Sequence, residues 1–177
     1  MRIGADFDVS NNEQIQRCFV WLAELAQQRS PDPSTRNAAL IVIGDQIRCA
    51  GINTFPDGVM SNAERLERPQ KYDYLIHAEA AAIASAARQG VMTKGSTMLA
   101  LWAACPICAQ LIICCGVSEL IIPSRILANT PPSWTVRVEL GLGLLKEAGV
   151  TVREFDGVSD GTKMLIASTF VPLFAEP

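Results

Sequence analysis

The chain carries a single histidine, His77, and a thiol pair in Cys105-Pro106-Ile107-Cys108, residue types that bind a soft or borderline metal ion. Cysteines at i and i+3 on the first turn of a helix can grip one ion together, and Pro106 suits the first helical position, where a backbone N–H would go unused. A helix N-terminus also favours the thiolate form that metal binding requires. One nitrogen and two sulfurs are one ligand short of the closed tetrahedron of a structural zinc site. Three protein ligands with a corner left for water is the catalytic arrangement. Two thiolates balance the charge of Zn²⁺, and water beside such an ion ionises near neutral pH when a base takes its proton. Glu79, two residues beyond His77, is placed to be that base and to hand the proton on to a substrate.

Other readings of these residues exist. A lone histidine is often structural, and cysteines are often plain core thiols, as Cys18, Cys114 and Cys115 are taken to be. A Cys-x-x-Cys that follows a strand and opens a helix also fits a disulfide-exchange pair, but that reading leaves His77-Ala78-Glu79 without a purpose.

The elements that must position these groups can be read from the pattern. Ser10-Asn11-Asn12-Glu13 looks like a capping box ahead of a helix ending near Arg29, with Ile15, Cys18, Phe19, Leu22, Leu25 and Ala26 on one face. Residues 38–43 and 47–52 form a hairpin turning at Gly44-Asp45, and 53–68 a long polar loop of functional length. A helix over 76–89 closes at Gly90. A strand over 97–102, a helix over 106–115 and a further strand to about 122 follow. Pro131-Pro132-Ser133 precedes a helix reaching Glu147, in which Gly141 and Gly143 each cost about 1 kcal/mol relative to Ala, and 150–155 is the last strand. Helices alternating with strands after an initial hairpin predict an α/β fold, a three-layer αβα sandwich on a mixed sheet of about five strands. The whole chain, 1–177, reads as one domain with its core over about 12–155 and an apolar tail over 156–177 that could cover the core or a neighbouring subunit.

Bulk properties narrow the partners. A net charge of −3 and the lack of a basic stripe argue against gripping a nucleic acid through many phosphates, while leaving room for one small anionic substrate. Four of the six cysteines crowd between Cys105 and Cys115, and the opening residues contain no apolar run, so reduced thiols in a cytoplasm are expected. The uncharged stretch 95–118 is long enough to suggest a membrane span, but Pro106, Gln110, its cysteines and Gly116 fit a buried strand and helix better.

His77-Ala78-Glu79 followed by the cysteine pair matches the zinc deaminase pattern, with Ala104 standing where that pattern has proline. Beyond the metal motif, the chain resembles the deoxycytidylate deaminases of the cytidine deaminase-like superfamily. The likeness runs through Ser30-Pro31-Asp32-Pro33-Ser34-Thr35-Arg36, Gly51-Ile52-Asn53-Thr54-Phe55-Pro56-Asp57-Gly58, Lys71-Tyr72-Asp73-Tyr74 and Cys108-Ala109-Gln110-Leu111-Ile112-Ile113, to Ala148-Gly149-Val150. It implies one catalytic Zn²⁺ per subunit, conversion of dCMP or a 5-substituted dCMP to dUMP with release of ammonia, and a homo-oligomer such as a hexamer. It further implies that Asn53 contacts the sugar, that Ala39 and Ala78 lie against the base, and that a cation receives the 5′-phosphate, for which Arg36 and Arg125 are the candidates. Trp102 is similar to a tryptophan of polynucleotide cytosine deaminases that would stack on a base, although a core indole at a strand end reads the same way. Ala81 and Ala38 depart from the family's asparagine and glycine. Two other functions stay open at this stage: deamination of a base in single-stranded nucleic acid or tRNA, and a zinc-stabilised binding module without catalysis.

Overall fold

The computed structural model describes residues 6–124, 130 and 132–157; the apolar tail read over 156–177 therefore lies almost wholly outside it, as does Arg125. Helix α1 (Asn12–Arg29) is followed by the hairpin β1 (Ala38–Ile43) and β2 (Gln46–Ile52). Two short helices, α2 (Ala63–Leu66) and α3 (Lys71–Tyr74), then lead to α4 (Ala78–Arg88). Next come β3 (Thr97–Ala100), α5 (Pro106–Cys114), β4 (Glu119–Pro123), α6 (Pro132–Glu147) and β5 (Thr151–Phe155). The five strands make one sheet in the order β2-β1-β3-β4-β5. β1 runs antiparallel to β2 and β3, whereas β3, β4 and β5 are parallel, so the sheet is mixed, as the α/β reading requires.

Residues 38–42 of β1 are buried without alternation, which happens only when both faces of a strand are covered. α1 and α4 both pack on β1, and α1 reaches across to β5 through Phe19 stacked on Phe155, their centroids 5.8 Å apart. α5 and α6 lie against each other, and no helix among the described residues is long and apolar enough to cross a membrane. In the 95–118 stretch β3 is interior, whereas α5 buries Cys108, Ala109 and Ile112 and leaves Ile107, Gln110, Leu111 and Cys114 exposed, so Cys114 is not the core thiol expected from the sequence.

Several boundaries move by a residue or two, each for a local reason. Asn11, not Ser10, caps α1: its side-chain oxygen accepts from the N–H groups of Glu13 and Gln14 at 3.0 and 3.1 Å. Ser10 is already engaged, its N–H and hydroxyl both donating to Asp8. α4 starts at Ala78 rather than 76 because Ile76 is extended and exchanges two backbone hydrogen bonds with Thr54, at 2.9 and 3.2 Å. β3 ends at Ala100 rather than 102; Leu101 N–H still bonds the Ala38 carbonyl at 3.0 Å, and Trp102 then turns away. The polar loop at 53–68 holds the short helix α2.

Two glycines set how closely the layers meet. A Cβ on Gly51 would stand 2.3 Å from Ala82 N and 2.4 Å from the Ala78 carbonyl, so α4 sits directly on the β2 backbone. Gly51, Ala39 and Ala100 are cross-strand neighbours, a row of small residues that suits the buried alanines Ala78, Ala82 and Ala86 of α4. A Cβ on Gly141 would fall 2.1 Å from the Ala104 carbonyl, so α6 presses on the turn just before Cys105. That contact explains a helix-weakening residue in α6. Gly143 meets nothing within 4 Å and has no such reason. Gly141→Ala is therefore expected to lose about 1–3 kcal/mol from overpacking, whereas Gly143→Ala should gain up to about 1 kcal/mol from helix propensity. Urea unfolding of the two variants with the metal content held constant reads both signs.

Candidate metal centre and active site

His77 is the residue before α4, and Cys105 the residue before α5, with Cys108 in that helix's first turn, so two helix starts meet at one point. The Nδ1 atom of His77 lies 3.4 Å from Cys105 Sγ and 3.5 Å from Cys108 Sγ. All three ligand atoms fall within 4.8 Å of one another, the one such group of His, Cys, Asp and Glu among the described residues. Tetrahedral bonds of ~2.0–2.1 Å to nitrogen and ~2.3 Å to sulfur would set N and S about 3.6 Å apart, so the donor set fits zinc without rearrangement. No side chain of the described residues completes a fourth ligand in this group.

Electrostatics in the metal-free site point the same way. The hydrogen bond with Cys108 holds the Cys105 thiol down at about 4, helped by His77. The same contact, with burial, pushes Cys108 up, so one thiol of the pair keeps its proton. The Cys105 partner also raises His77 against the opposing effect of burial. Glu79, only 2% exposed, has its carboxyl oxygen 3.7 Å from Cys108 Sγ. Burial pushes its pKa up to about 7, opposed by the charge of His77. A carboxyl that titrates near neutrality is suited to taking up a proton and giving it back.

A network of polar contacts holds the start of α4 in place. Asn53 is buried, and its side-chain oxygen accepts from Ala78 N–H at 2.9 Å, acting as the cap that His77 does not supply. Its amide nitrogen donates to the Thr35 carbonyl at 2.8 Å. Thr35 N–H and Ser34 N–H in turn bond one oxygen of Asp32, at 3.0 and 2.9 Å. Asp32 pairs with the Lys71 ammonium at 2.7 and 3.0 Å, both side chains 4% exposed, and Lys71 also reaches the Ser34 hydroxyl.

These groups border a cleft that also has Tyr72, Leu75, Trp102, Ala103, Trp134 and Val138 in its walls. Trp134 is an aromatic hub: its ring centroid lies 6.2 Å from Tyr72 and Trp102 and 6.4 Å from His77. Of the residues singled out in the sequence, His77, Glu79, Cys105, Asn53 and Trp102 line this cleft, and Cys108 joins the ligand group behind it. Ala39 and Ala78 are fully buried and do not line it, and Arg36 is exposed between Thr35 and Asn37, which line it, without lining it itself. Asp32, Lys71, Tyr72 and Trp134 were not assigned roles from the sequence. Asp32 and Lys71 stood inside motifs already noted, but an ion pair between residues 39 apart leaves no local signal. Trp134 reads as an ordinary packing residue of a covering helix.

The fold and the ligand trio define a zinc hydrolase of the deaminase type. The family described as "Cytidine and deoxycytidylate deaminase zinc-binding region" matches residues 12–124, and the chain belongs to it. An uncharacterized deaminase from the luxG 3′ region of Aliivibrio fischeri is 33% identical over 134 residues, covering 76% of this chain and 88% of that one. The deoxycytidylate deaminase of Mus musculus is 33% identical over 144 residues, 77% of each chain. The dCMP deaminase of cyanophage S-TIM5, solved in complex with dCMP and dUMP, superposes with a TM-score of 0.61 at 23% identity, over 80% of this chain and 96% of that one. Zinc is the cofactor of the family, and the His77, Cys105 and Cys108 group is where this chain can bind it.

Two outcomes follow from the geometry. Because Cys108 keeps its proton without metal and must lose it to ligate, zinc uptake at pH 7 should release at least about one proton per ion, and affinity should fall as pH is lowered. Calorimetry in buffers of different ionisation enthalpy measures the release. Lys71→Met leaves Asp32 charged, buried and unpaired and is expected to cost about 3–5 kcal/mol, most of it recovered in the Lys71→Met/Asp32→Asn double variant, which removes the charge and keeps an oxygen for the Ser34 and Thr35 N–H groups. Chemical denaturation of the pair of variants checks it.

Proposed function

We propose that the protein catalyses hydrolytic deamination of a cytosine deoxynucleotide, dCMP or a 5-substituted dCMP, giving dUMP and ammonia. The observation that carries this reading is a buried carboxyl, Glu79, beside the three-ligand group and facing a cleft walled by aromatic rings. Support for the substrate comes from relatives, since curated deoxycytidylate deaminases of mouse and human match at 33 and 32% identity.

Zinc, when bound, supplies the Lewis acidity that makes water nucleophilic near neutral pH. His77, Cys105 and Cys108 would hold it. Glu79 takes a proton from the attacking water and passes it to the ring nitrogen next to the amino-bearing carbon. The water oxygen bonds to that carbon. A second proton then travels through Glu79 to the amino group, the C–N bond breaks, and ammonia leaves as the ring carbonyl forms. The carboxyl ends in its starting state. Trp102 and Trp134 offer flat apolar faces to a planar base, and the burial of Glu79, 2% exposed, limits the access of bulk water to its carboxyl. Asn53 sits in the cleft wall, where its fixed amide can face the sugar.

The reading includes a place in pyrimidine nucleotide metabolism, a cytoplasmic location and a homo-oligomeric state. Six free cysteines suit a reducing compartment, and Ile107, Val136 and Leu140, exposed on α5 and α6, suit self-association. The net charge of −3 disfavours a polynucleotide substrate.

Incubating the zinc-loaded protein with dCMP, its 5-methyl and 5-hydroxymethyl forms, dCTP, deoxycytidine and dAMP, and following ammonia release, tests the proposal. Glu79→Gln should lower kcat on the best substrate by about 10²- to 10⁴-fold with zinc retained. Silence of the wild type on every monophosphate, or an active Glu79→Gln variant, would overturn it.

A further inference from the structure

One side chain in the cleft wall carries a polar group that neither the fold nor the proposed chemistry uses. The buried polar and charged residues that line the cleft are Asp32, Asn37, Asn53, Lys71 and Glu79. Glu79 is the proton carrier. The Lys71 ammonium is engaged by both Asp32 oxygens and by the Ser34 hydroxyl, and Asp32 also accepts from the Ser34 and Thr35 N–H groups. Asn53 has both ends of its amide occupied, the oxygen by Ala78 N–H at 2.9 Å and the nitrogen by the Thr35 carbonyl at 2.8 Å. Asn37 differs. It is 6% exposed, and its side-chain oxygen is committed to the adjoining backbone, accepting from Ala38 N–H at 2.9 Å, so the amide nitrogen is the end that remains. That nitrogen meets no acceptor among the described residues. Nor is it sealed in the interior, where the one described side-chain polar atom without a partner is Ser96 Oγ. It therefore opens on the cleft whose wall Asn37 forms. The residue is also held still: its N–H bonds the Thr35 carbonyl and its own carbonyl accepts from Asn53 N–H, both at 3.1 Å. A buried donor without an acceptor is costly, so one kept in a fixed place needs a reason.

From this unpaired amide we infer that Asn37 reads the base: its side-chain nitrogen donates to the carbonyl oxygen on the carbon between the two ring nitrogens of cytosine. The inference rests on the deaminase reading of the cleft and adds a specificity-determining residue to it. With the amino-bearing carbon at the ligand group and the adjacent ring nitrogen at Glu79, the next ring atom carries that oxygen, and the nitrogen after it carries the sugar. A carbonyl taken into a buried cleft gives up its hydrogen bonds to water and needs a donor in exchange. The backbone donor nearest the metal ligand on this wall, Ala78 N–H, is already given to Asn53, which leaves the role to Asn37. Adenine presents a C–H at the corresponding ring position, so its entry would leave the amide unpaired. A site with a polar group left unpaired rejects an analogue far more strongly than an apolar wall does. The aromatic walls accept any planar ring, whereas Asn37 selects a 2-oxo pyrimidine.

Exchanging oxygen for sulfur at that carbon tests the inference, because a thiocarbonyl keeps the shape of the base and accepts a hydrogen bond poorly. The kcat/KM values for dCMP and 2-thio-dCMP are compared in the zinc-loaded full chain and in two variants. Asn37→Asp keeps an oxygen for Ala38 N–H and turns the donor into an acceptor; Asn37→Leu removes both groups. In each variant kcat/KM for dCMP should fall about 10- to 100-fold, and the dCMP-to-2-thio-dCMP ratio should fall by about tenfold or more. A ratio within about threefold of the wild type's, both substrates having slowed equally, makes Asn37 a structural residue and overturns the inference, while wild-type turnover of dCMP leaves the deaminase reading standing. Calorimetry with dUMP and 2-thio-dUMP reads the same preference without turnover and without the variants. Binding of dUMP about tenfold tighter by the wild type sustains the inference, and equal binding overturns it. A wild type that binds neither nucleotide and deaminates no monophosphate overturns both readings.

Discussion

Two cysteine thiols that face one imidazole inside a protein cannot both be charged unless a cation lies between them. In this chain the contact that holds Cys105 down pushes Cys108 up, and burial adds to the second effect. A dication removes the conflict, because each thiolate then faces positive charge instead of its twin. The trio is also incomplete as a structural site, and that shortfall is what makes it chemically useful. A fourth side chain would satisfy the ion and end its reactivity.

Holding such a trio within a few tenths of an ångström demands support from both sides of each helix start. On the α4 side the support is polar, running from Lys71 and Asp32 through Thr35 and Asn53 to the Ala78 N–H, and its one buried ion pair is fully hydrogen-bonded. On the α5 side the support is steric, since α6 touches the Ala104 carbonyl at a glycine. Close packing of helix on strand at Gly51 seats the rest of α4.

α6 has two roles at once. Through Gly141 it presses on the turn that carries Cys105, and through Trp134 and Val138 it walls the cleft. One helix therefore bears both on the wall of the cleft and on the turn that carries Cys105.

The local code was legible where chemistry and geometry are both local. His77-Ala78-Glu79 and Cys105-Pro106-Ile107-Cys108 place their groups at helix starts by short-range spacing alone, and the alternation of helix and strand announced a mixed α/β sheet. The glycines of α6 looked like mere weak points, because the reason for Gly141 lies on Ala104, 37 positions away along the chain. The cap of α1 shifted from Ser10 to Asn11 for want of one hydrogen bond already given to Asp8. What only the tertiary structure decided is the meeting of distant segments: which indole walls the cleft, which lysine is neutralised, and which amide keeps a donor for the cleft. Hydrogen bonds along a helix turn are written into neighbouring residues, whereas a cavity is enclosed by side chains whose common location exists only after the chain has closed on itself.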